Sequence, residues 1–270
     1  MKSVLSIQDL SCVGRCSLTV ALPVLSAMGI RCSVLPTGVL STHTGFPDPV
    51  VIPLTEHIGA IGSHFETVGI GFDAVTVGYL ADPAQAEAVL PLLRYYKSQG
   101  SLIIADPAMG DHGRLYRGLP AQHVRSMLAV CREADIVLPN VTEAALLTGM
   151  PYRAEPDDGY LKALTQAVLD ICPGAIITGV SGKNGTIGFS GGNAQTPYFS
   201  YQTEVVPRQF HGTGDLFAAV FAGEMMRGKT VYAASAAAAD FVKLCVAGTE
   251  AVTPHGVEFE KQLPLLMTKG

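Results

Sequence analysis

The stretch Ser101-Leu-Ile-Ile-Ala-Asp-Pro-Ala-Met-Gly110, continuing through residues 111–130 to Cys131-Arg-Glu-Ala-Asp-Ile-Val-Leu-Pro-Asn140, decides the fold. Ser101-Leu-Ile-Ile-Ala105 and Asp135-Ile-Val-Leu138 are short and apolar throughout, and residues 120–131 between them have helical character. Strands covered on both faces are continuous in this way, whereas half-exposed strands alternate. A strand, a helix and a second such strand predict a right-handed crossover and parallel pairing.

The same unit repeats outward in both directions. Ser3-Val-Leu-Ser-Ile7, Cys32-Ser-Val-Leu35, Ala74-Val-Thr-Val77 and Ala175-Ile-Ile-Thr178 read as further strands. Residues 18–28, 54–66, 83–98, 142–147 and 158–172 read as helices between them. After residue 180 the rhythm changes. Thr186-Ile-Gly-Phe-Ser190 and Thr196-Pro-Tyr-Phe-Ser-Tyr201 flank Gly191-Gly192-Asn193, which predicts a hairpin. Two helices follow, near 213–227 and 230–246, the second rich in alanine at Ala233, Ala234 and 236–239. No linker, repeat or low-complexity tract interrupts the pattern. The expectation is one α/β domain over 1–270, with a mainly parallel central sheet and helices on both faces.

Composition narrows the function. In 270 residues, 48% are hydrophobic and 15% charged, which excludes intrinsic disorder. Eighteen Lys and Arg stand against 23 Asp and Glu, a net charge of −5, with no cationic cluster to displace counterions. Nucleic acid and anionic membrane surfaces are therefore unsuited partners. The apolar runs fall short of the roughly 20 residues of a membrane span. The N-terminal residues carry no long apolar export segment. A cytoplasmic enzyme is expected. The six cysteines have no second pair at zinc spacing, so reduced, mostly buried thiols are expected.

Phe210-His-Gly-Thr-Gly-Asp-Leu-Phe217 carries the most chemical information. Glycines let successive N–H groups turn toward one point, and a helix beginning there adds partial positive charge. Gly212, Thr213 and Gly214 thus form a candidate anion site, and Asp215 beside it is placed to accept a hydroxyl proton. A plain helix-start carboxylate is the other reading of Asp215.

Two strand ends make a second candidate site. Asp106-Pro-Ala-Met-Gly-Asp111 follows one strand, and Asn140-Val-Thr-Glu143 follows the next. Ligands of open parallel sheets gather at the carboxyl ends of strands, and carboxylates there suit a Mg²⁺ that bridges phosphates. Asn140 with Glu143 also reads as a helix capping box, and the two readings are compatible. A third segment, Gly38-Val-Leu-Ser-Thr-His-Thr-Gly-Phe-Pro47, reads as a shaped binding loop, with His43 either functional or an ordinary loop histidine. Tyr79 either faces a ligand cleft or packs at the sheet edge. A Rossmann Gly-x-Gly-x-x-Gly is missing after the first strand. Gly223-x4-Gly228-Lys229-Thr230 and Gly188-Phe-Ser190-Gly-Gly192 match the P-loop and nucleophile-elbow strings but fall between two expected helices and in the expected hairpin, not at a strand-to-helix turn, which argues against those templates.

Together these motifs resemble the ribokinase superfamily, and within it the vitamin B6 (pyridoxal) kinase branch. The matching pieces are Ser6-Ile-Gln8, Thr42-His-Thr-Gly45, Gly78-Tyr79, Asp106-Pro-x-Met-Gly-Asp111, Asn140-x-x-Glu143 and Gly212-Thr-Gly-Asp-Leu-Phe-Ala-Ala219, in the family's order. The resemblance implies ATP-dependent phosphorylation of the 5′-hydroxymethyl group of pyridoxal, pyridoxamine or pyridoxine. It implies Asp215 as base and Gly212, Thr213 and Gly214 as anion hole. Asp106 and Glu143 would act through Mg²⁺ and its waters, supported by Asn140. Asp111 and Tyr116 would close over the ATP phosphates, which Thr178 would approach. Thr44, Tyr79, Phe210 and His211 would line the pyridine pocket. A cytoplasmic homodimer, with a monovalent cation such as K⁺ near the phosphates, belongs to the same implication.

One departure stands out. The family's Ser-His after Ile-Gln is replaced by Asp9-Leu10. With the first strand taken to end at Ile7, Asp9 lies at the ligand edge, where a carboxylate would favour a cationic vitamer such as pyridoxamine. Alternatively Asp9 caps a turn through Ser11 and Cys12. The rival activities are a hydroxymethylpyrimidine kinase of thiamine synthesis, whose members often carry Cys at the Asp215 place, and a non-catalytic pyridoxal phosphate carrier. A carrier has no need of a base together with two metal-site carboxylates.

Overall fold

The computed structural model describes residues 1–183, 185–251 and 254–267. In chain order the elements begin with β1 (Ser3–Ser11), α1 (Leu18–Ala27), β2 (Arg31–Leu40), β3 (Val51–Pro53), α2 (Thr55–Thr67) and β4 (Ala74–Val77). There follow α3 (Pro83–Ser98), β5 (Leu102–Ala105), β6 (Gly110–Asp111), β7 (Arg114–Leu115), α4 (His123–Glu133), β8 (Ile136–Val137), α5 (Val141–Thr148) and α6 (Asp158–Leu169). The chain continues with β9 (Gly174–Ser181), β10 (Thr186–Asn193), β11 (Phe199–Glu204), α7 (Thr213–Met226) and α8 (Val231–Gly248). A 3-10 helix, Glu260–Leu266, is the last element. Two compact units emerge: Met1–Gly78 with Val206–Gly270, and Tyr79–Val205.

In the first unit β1 pairs in parallel with both β2 and β4, while β3 adds antiparallel to β2. Val4, Leu5 and Ile7 of β1 are fully buried, as expected of a strand covered on both faces. The helices α1 and α7 pack together, and α7 contributes Leu216, Val220, Phe221 and Ala222 to the core. The helix α8 is long and apolar enough to cross a membrane by length and composition. It lies against α7 with Ala234, Ser235, Ala238, Phe241 and Cys245 buried. The Ala-rich helix therefore exceeds the short apolar runs that the sequence reading weighed.

In the second unit β5, β8 and β9 are parallel, and β10 and β11 continue antiparallel from β9. Local chemistry starts its helices. Asp82 caps α3 by accepting from the Gln85 N–H, with Pro83 at the first helical position. Asp157 does the same for α6 through Tyr160.

Three expectations need correction. The first strand does not end at Ile7 but continues to Ser11, because β2 also runs on and keeps pairing with Leu10 and Ser11. Its register shifts between Gln8 and Leu10, opposite Pro36, which has no N–H to donate to a ladder. Likewise Gly38, Val39 and Leu40 belong to β2 and pair with β3, so the binding loop begins only at Ser41. Gly191, Gly192 and Asn193 lie inside β10. There the missing side chains let the Pro197 carbonyl and the Phe199 ring approach closely, and Asn193 Oδ1 organises the turn by accepting from Gln195 and Thr196.

Candidate active site

In the first unit the Phe210–Phe217 motif makes the start of α7, with Gly212 at the N-cap in the left-handed region, φ 83°. A Cβ there would strike the carbonyl oxygen of Arg15, so glycine is required twice over, for conformation and for space. The first N–H groups of a helix have no acceptor within it, which suits those of Thr213 and Gly214 to an anion, while the Asp215 N–H turns to its own carboxylate. Asp215 stands in that first turn and keeps partial solvent access. Its surroundings push its carboxyl up to about 7: burial first, then the nearby Asp9 carboxylate, against a backbone N–H donated by Ser17. A carboxyl tuned to neutral pH is matched to general-base work.

Asp9 is buried, 5% exposed, inside β1. Its Oδ1 accepts from Ser17 Oγ at 2.5 Å and its Oδ2 from Ser11 Oγ at 3.1 Å. Burial raises its carboxyl, and these two hydroxyls pull it back. Of the turn-capping alternative, the contact with Ser11 is present, within β1 and not in a separate turn. Each oxygen already accepts from one hydroxyl, so the carboxylate is held by the protein's own donors.

The His43 loop closes the same region. His43 is buried, its Nδ1 accepts from the Gly45 N–H at 3.0 Å, and its Nε2 lies 2.5 Å from the Pro254 carbonyl. That pairing assigns the proton to Nε2, and burial lowers the ring's affinity for a second proton. The ring also fills the space a Cβ of Gly14 would need. The His211 ring lies 5.0 Å from it and Phe46 5.1 Å. Thr44 and His211 are exposed and Phe210 half-buried, so this unit brings Thr44, Phe210 and His211 of the expected ring pocket to accessible positions.

The second unit organises the other candidates. Asn140 and Glu143 form the capping box in full: Asn140 Oδ1 accepts from the Glu143 N–H at 3.0 Å, and Glu143 Oε2 from the Asn140 N–H at 2.8 Å. Glu143 Oε1 also accepts from the Met109 N–H at 3.0 Å and the Gly110 N–H at 3.4 Å. Asn140 Nδ2 donates to the Gly110 carbonyl, and Thr142 Oγ1 accepts from the Gly113 N–H. The segment after β5 is thereby fastened to the start of α5. Thr178 on β9 bridges Asn140 and donates its N–H to the Pro139 carbonyl at 2.9 Å. Asp111 and Tyr116 lie exposed on the β6–β7 hairpin, which the sequence reading did not foresee; Asp106 and Tyr79 are half-buried.

Among the described residues no three His, Cys, Asp or Glu side chains gather to hold a metal. Mg²⁺ commonly takes one or two protein carboxylates and fills its shell with water and phosphate, which Asp106 fits. Glu143 does not fit as a direct ligand. It is 2% exposed, its oxygens are turned to three backbone N–H groups, and burial raises its carboxyl above the usual range. The expectation that Glu143 acts on Mg²⁺ through its waters is left with the resemblance that implied it.

Sequence reasoning named Ser11 beside Asp9 but missed Ser17, its second partner, and Pro254, the partner of His43. A serine just before α1 was a legible signal for a cap, but nothing in the spacing pointed it at Asp9.

The chain matches the family model described as phosphomethylpyrimidine kinase over residues 51–258. A crystal structure of pyridoxal kinase from Lactobacillus plantarum is similar with a TM-score of 0.90 at 33% identity, covering 98% of this chain and 96% of that one. A Bacteroides thetaiotaomicron protein, described as a candidate phosphomethylpyrimidine kinase and crystallised in an orthorhombic form with pyridoxal, reaches 0.93 at 33% identity, covering 98% and 95%. The pyridoxal kinase PdxY of Rubrobacter xylanophilus is 27% identical over 239 residues, 84% of this chain and 80% of its own.

Proposed function

The chain belongs to the phosphomethylpyrimidine kinase family of ribokinase-like enzymes, and from that membership we propose that it transfers the γ-phosphoryl group of ATP to the 5′-hydroxymethyl group of a B6 vitamer in pyridoxal 5′-phosphate salvage. The observation that carries this reading is Asp215 in the first turn of α7, immediately after the glycine-flanked anion site. Its carboxylate takes the proton of the 5′-hydroxyl. The hydroxyl oxygen forms the new bond to the γ-phosphorus, the bond from that phosphorus to the bridging oxygen breaks, and ADP leaves. The N–H groups of residues 212–214 hold the transferring phosphoryl oxygens as charge redistributes. Thr44, Phe210 and His211 hold the vitamer ring in this reading.

Asp106, Asp111, Tyr116, Asn140 and Thr178 serve the nucleotide. Mg²⁺, once bound with the phosphates, neutralises their charge, and Asp106 is the residue that would hold it through water. Glu143 keeps the segment at Met109 and Gly110 in shape. The reading takes residues 1–270 as one kinase domain. It includes a cytoplasmic homodimer and a monovalent cation such as K⁺, which rest on the family resemblance alone.

The description of the matching family favours a second activity, phosphorylation of hydroxymethylpyrimidine. ATP consumption with pyridoxal, pyridoxamine, pyridoxine or hydroxymethylpyrimidine as sole acceptor separates the two. Turnover of one or more vitamers supports the proposal; turnover of the pyrimidine alone replaces it.

A further inference from the structure

Ser17 occupies the N-cap of α1, where a serine ordinarily turns its hydroxyl back to the helix's own free N–H groups. Here it makes no such bond. Its backbone holds φ 52° and ψ −125°, a region that residues with side chains rarely enter and that costs of order 1–3 kcal/mol. The residue is nonetheless buried and engaged on both sides. Its hydroxyl reaches Asp9 Oδ1 at 2.5 Å, and its N–H points to the carboxylate of Asp215. The surrounding loop is held from outside: Arg15 donates its N–H to the His255 carbonyl at 2.9 Å, and Thr19 Oγ1 donates to the carbonyls of Gly14 and Cys16. Strain at one residue that forgoes its cap in order to face two carboxylates is a feature over-determined by its surroundings.

We infer that Ser17 is a positioning residue for the base: the buried Asp9 anchors its hydroxyl, so that its strained backbone N–H orients the Asp215 carboxylate, and Asp9 acts on the reaction through this link without touching the vitamer. The inference rests on Asp215 being the base, as proposed above, and assigns to Asp9 a place in the machinery different from substrate recognition. The groups facing this pair are Ser11 and His43 toward Asp9, with Cys16 close to both carboxylates. Cys16 is held as a neutral thiol, since burial and both carboxylates oppose its ionisation. Burial lowers the affinity of the His43 ring for a second proton, against the Pro254 carbonyl and Asp9. Asp9 is therefore the charge that bears on Asp215.

Two variants test it. Asp9→Asn keeps the shape and an acceptor for Ser17 but removes the charge, and is expected to move the acid limb of the kcat–pH profile down by about one pH unit. Ser17→Gly keeps the N–H and accepts the positive φ without strain, which offsets part of the cost of the lost hydroxyl to Asp9. It releases the anchor, and kcat is expected to fall about tenfold, with KM for both substrates within about twofold. An NMR titration of the Asp215 carboxyl carbon in the free protein should show the Asp9→Asn shift with no acceptor present. The titration separates this inference from the choice of substrate. An unmoved Asp215 titration in Asp9→Asn, together with an unchanged kcat in Ser17→Gly, overturns the inference. So does an Asp9→Asn effect confined to KM and unequal among vitamers, which would return Asp9 to the substrate.

Discussion

The carboxylate of Glu143 accepts a hydrogen bond from the backbone N–H of Met109 at 3.0 Å, across 34 residues of chain. The same side chain serves Gly110 and closes its own capping box with Asn140. Removing it by Glu143→Ala leaves three backbone donors without that acceptor. The expected loss is about 3 kcal/mol, from the cost of unsatisfied buried polar groups. Thermal melting should register it as a drop in Tm of roughly 6–12 °C.

The metal assignment makes a separate prediction. Asp106→Asn should raise the Mg²⁺ concentration needed for half-maximal activity, whereas Glu143→Gln should leave it within about twofold of the parent. A Mg²⁺ titration of each variant decides. A strongly raised requirement in Glu143→Gln would restore that carboxylate to the metal.

Asp215→Asn preserves the size of the side chain and the backbone anion site but removes the proton acceptor. We expect kcat to fall by about 10²–10⁴ with little change in KM for ATP. Steady-state kinetics with either substrate varied would show a near-parental kcat if another group serves as base.

The pH dependence follows from the same residue. Because the base works ionised and its carboxyl is pushed up to about 7, activity should be lost as pH falls through about 7. Stability runs the other way. A carboxyl raised above its unfolded value of 3.8 favours the fold most below that value, and the contribution is lost as pH rises through about 7. Asp215→Asn should therefore melt higher than the parent at about pH 8 and nearly equally at about pH 4. Melting curves across that range check the sign.

Gly212→Ala places a methyl group against the Arg15 carbonyl at a φ of 83°. The start of α7 must shift, and with it the anion site. Loss of one preorganised donor costs on the order of 10²-fold in kcat. A Gly212→Ala enzyme with parental kcat would show that this turn does not hold the phosphoryl group.

Much of this was legible before any coordinates. The continuous apolar runs at 101–105 and 135–138 placed two parallel strands, and the helix over 83–98 was legible between two such runs, because hydrophobic period acts over a few residues. The Asn140–Glu143 capping box was legible because cap chemistry is equally local. The end of β1 was not, since its extension to Ser11 depends on continued pairing with β2. The Gly191-Gly192 pair misled for a related reason. Glycine permits a turn, but in β10 it permits the close approach of Pro197 and Phe199 instead.

By itself the sequence determined the α/β class and the glycine-flanked turn before α7, which follow from side-chain period and local backbone freedom. Only the tertiary structure decided that Asp9 meets Ser17, and that Glu143 spends its oxygens on Met109 and Gly110. Those partners lie 8 and about 34 residues away. Buried polar groups must find partners wherever packing brings a donor, and that choice is made by the assembled core and not by spacing along the chain.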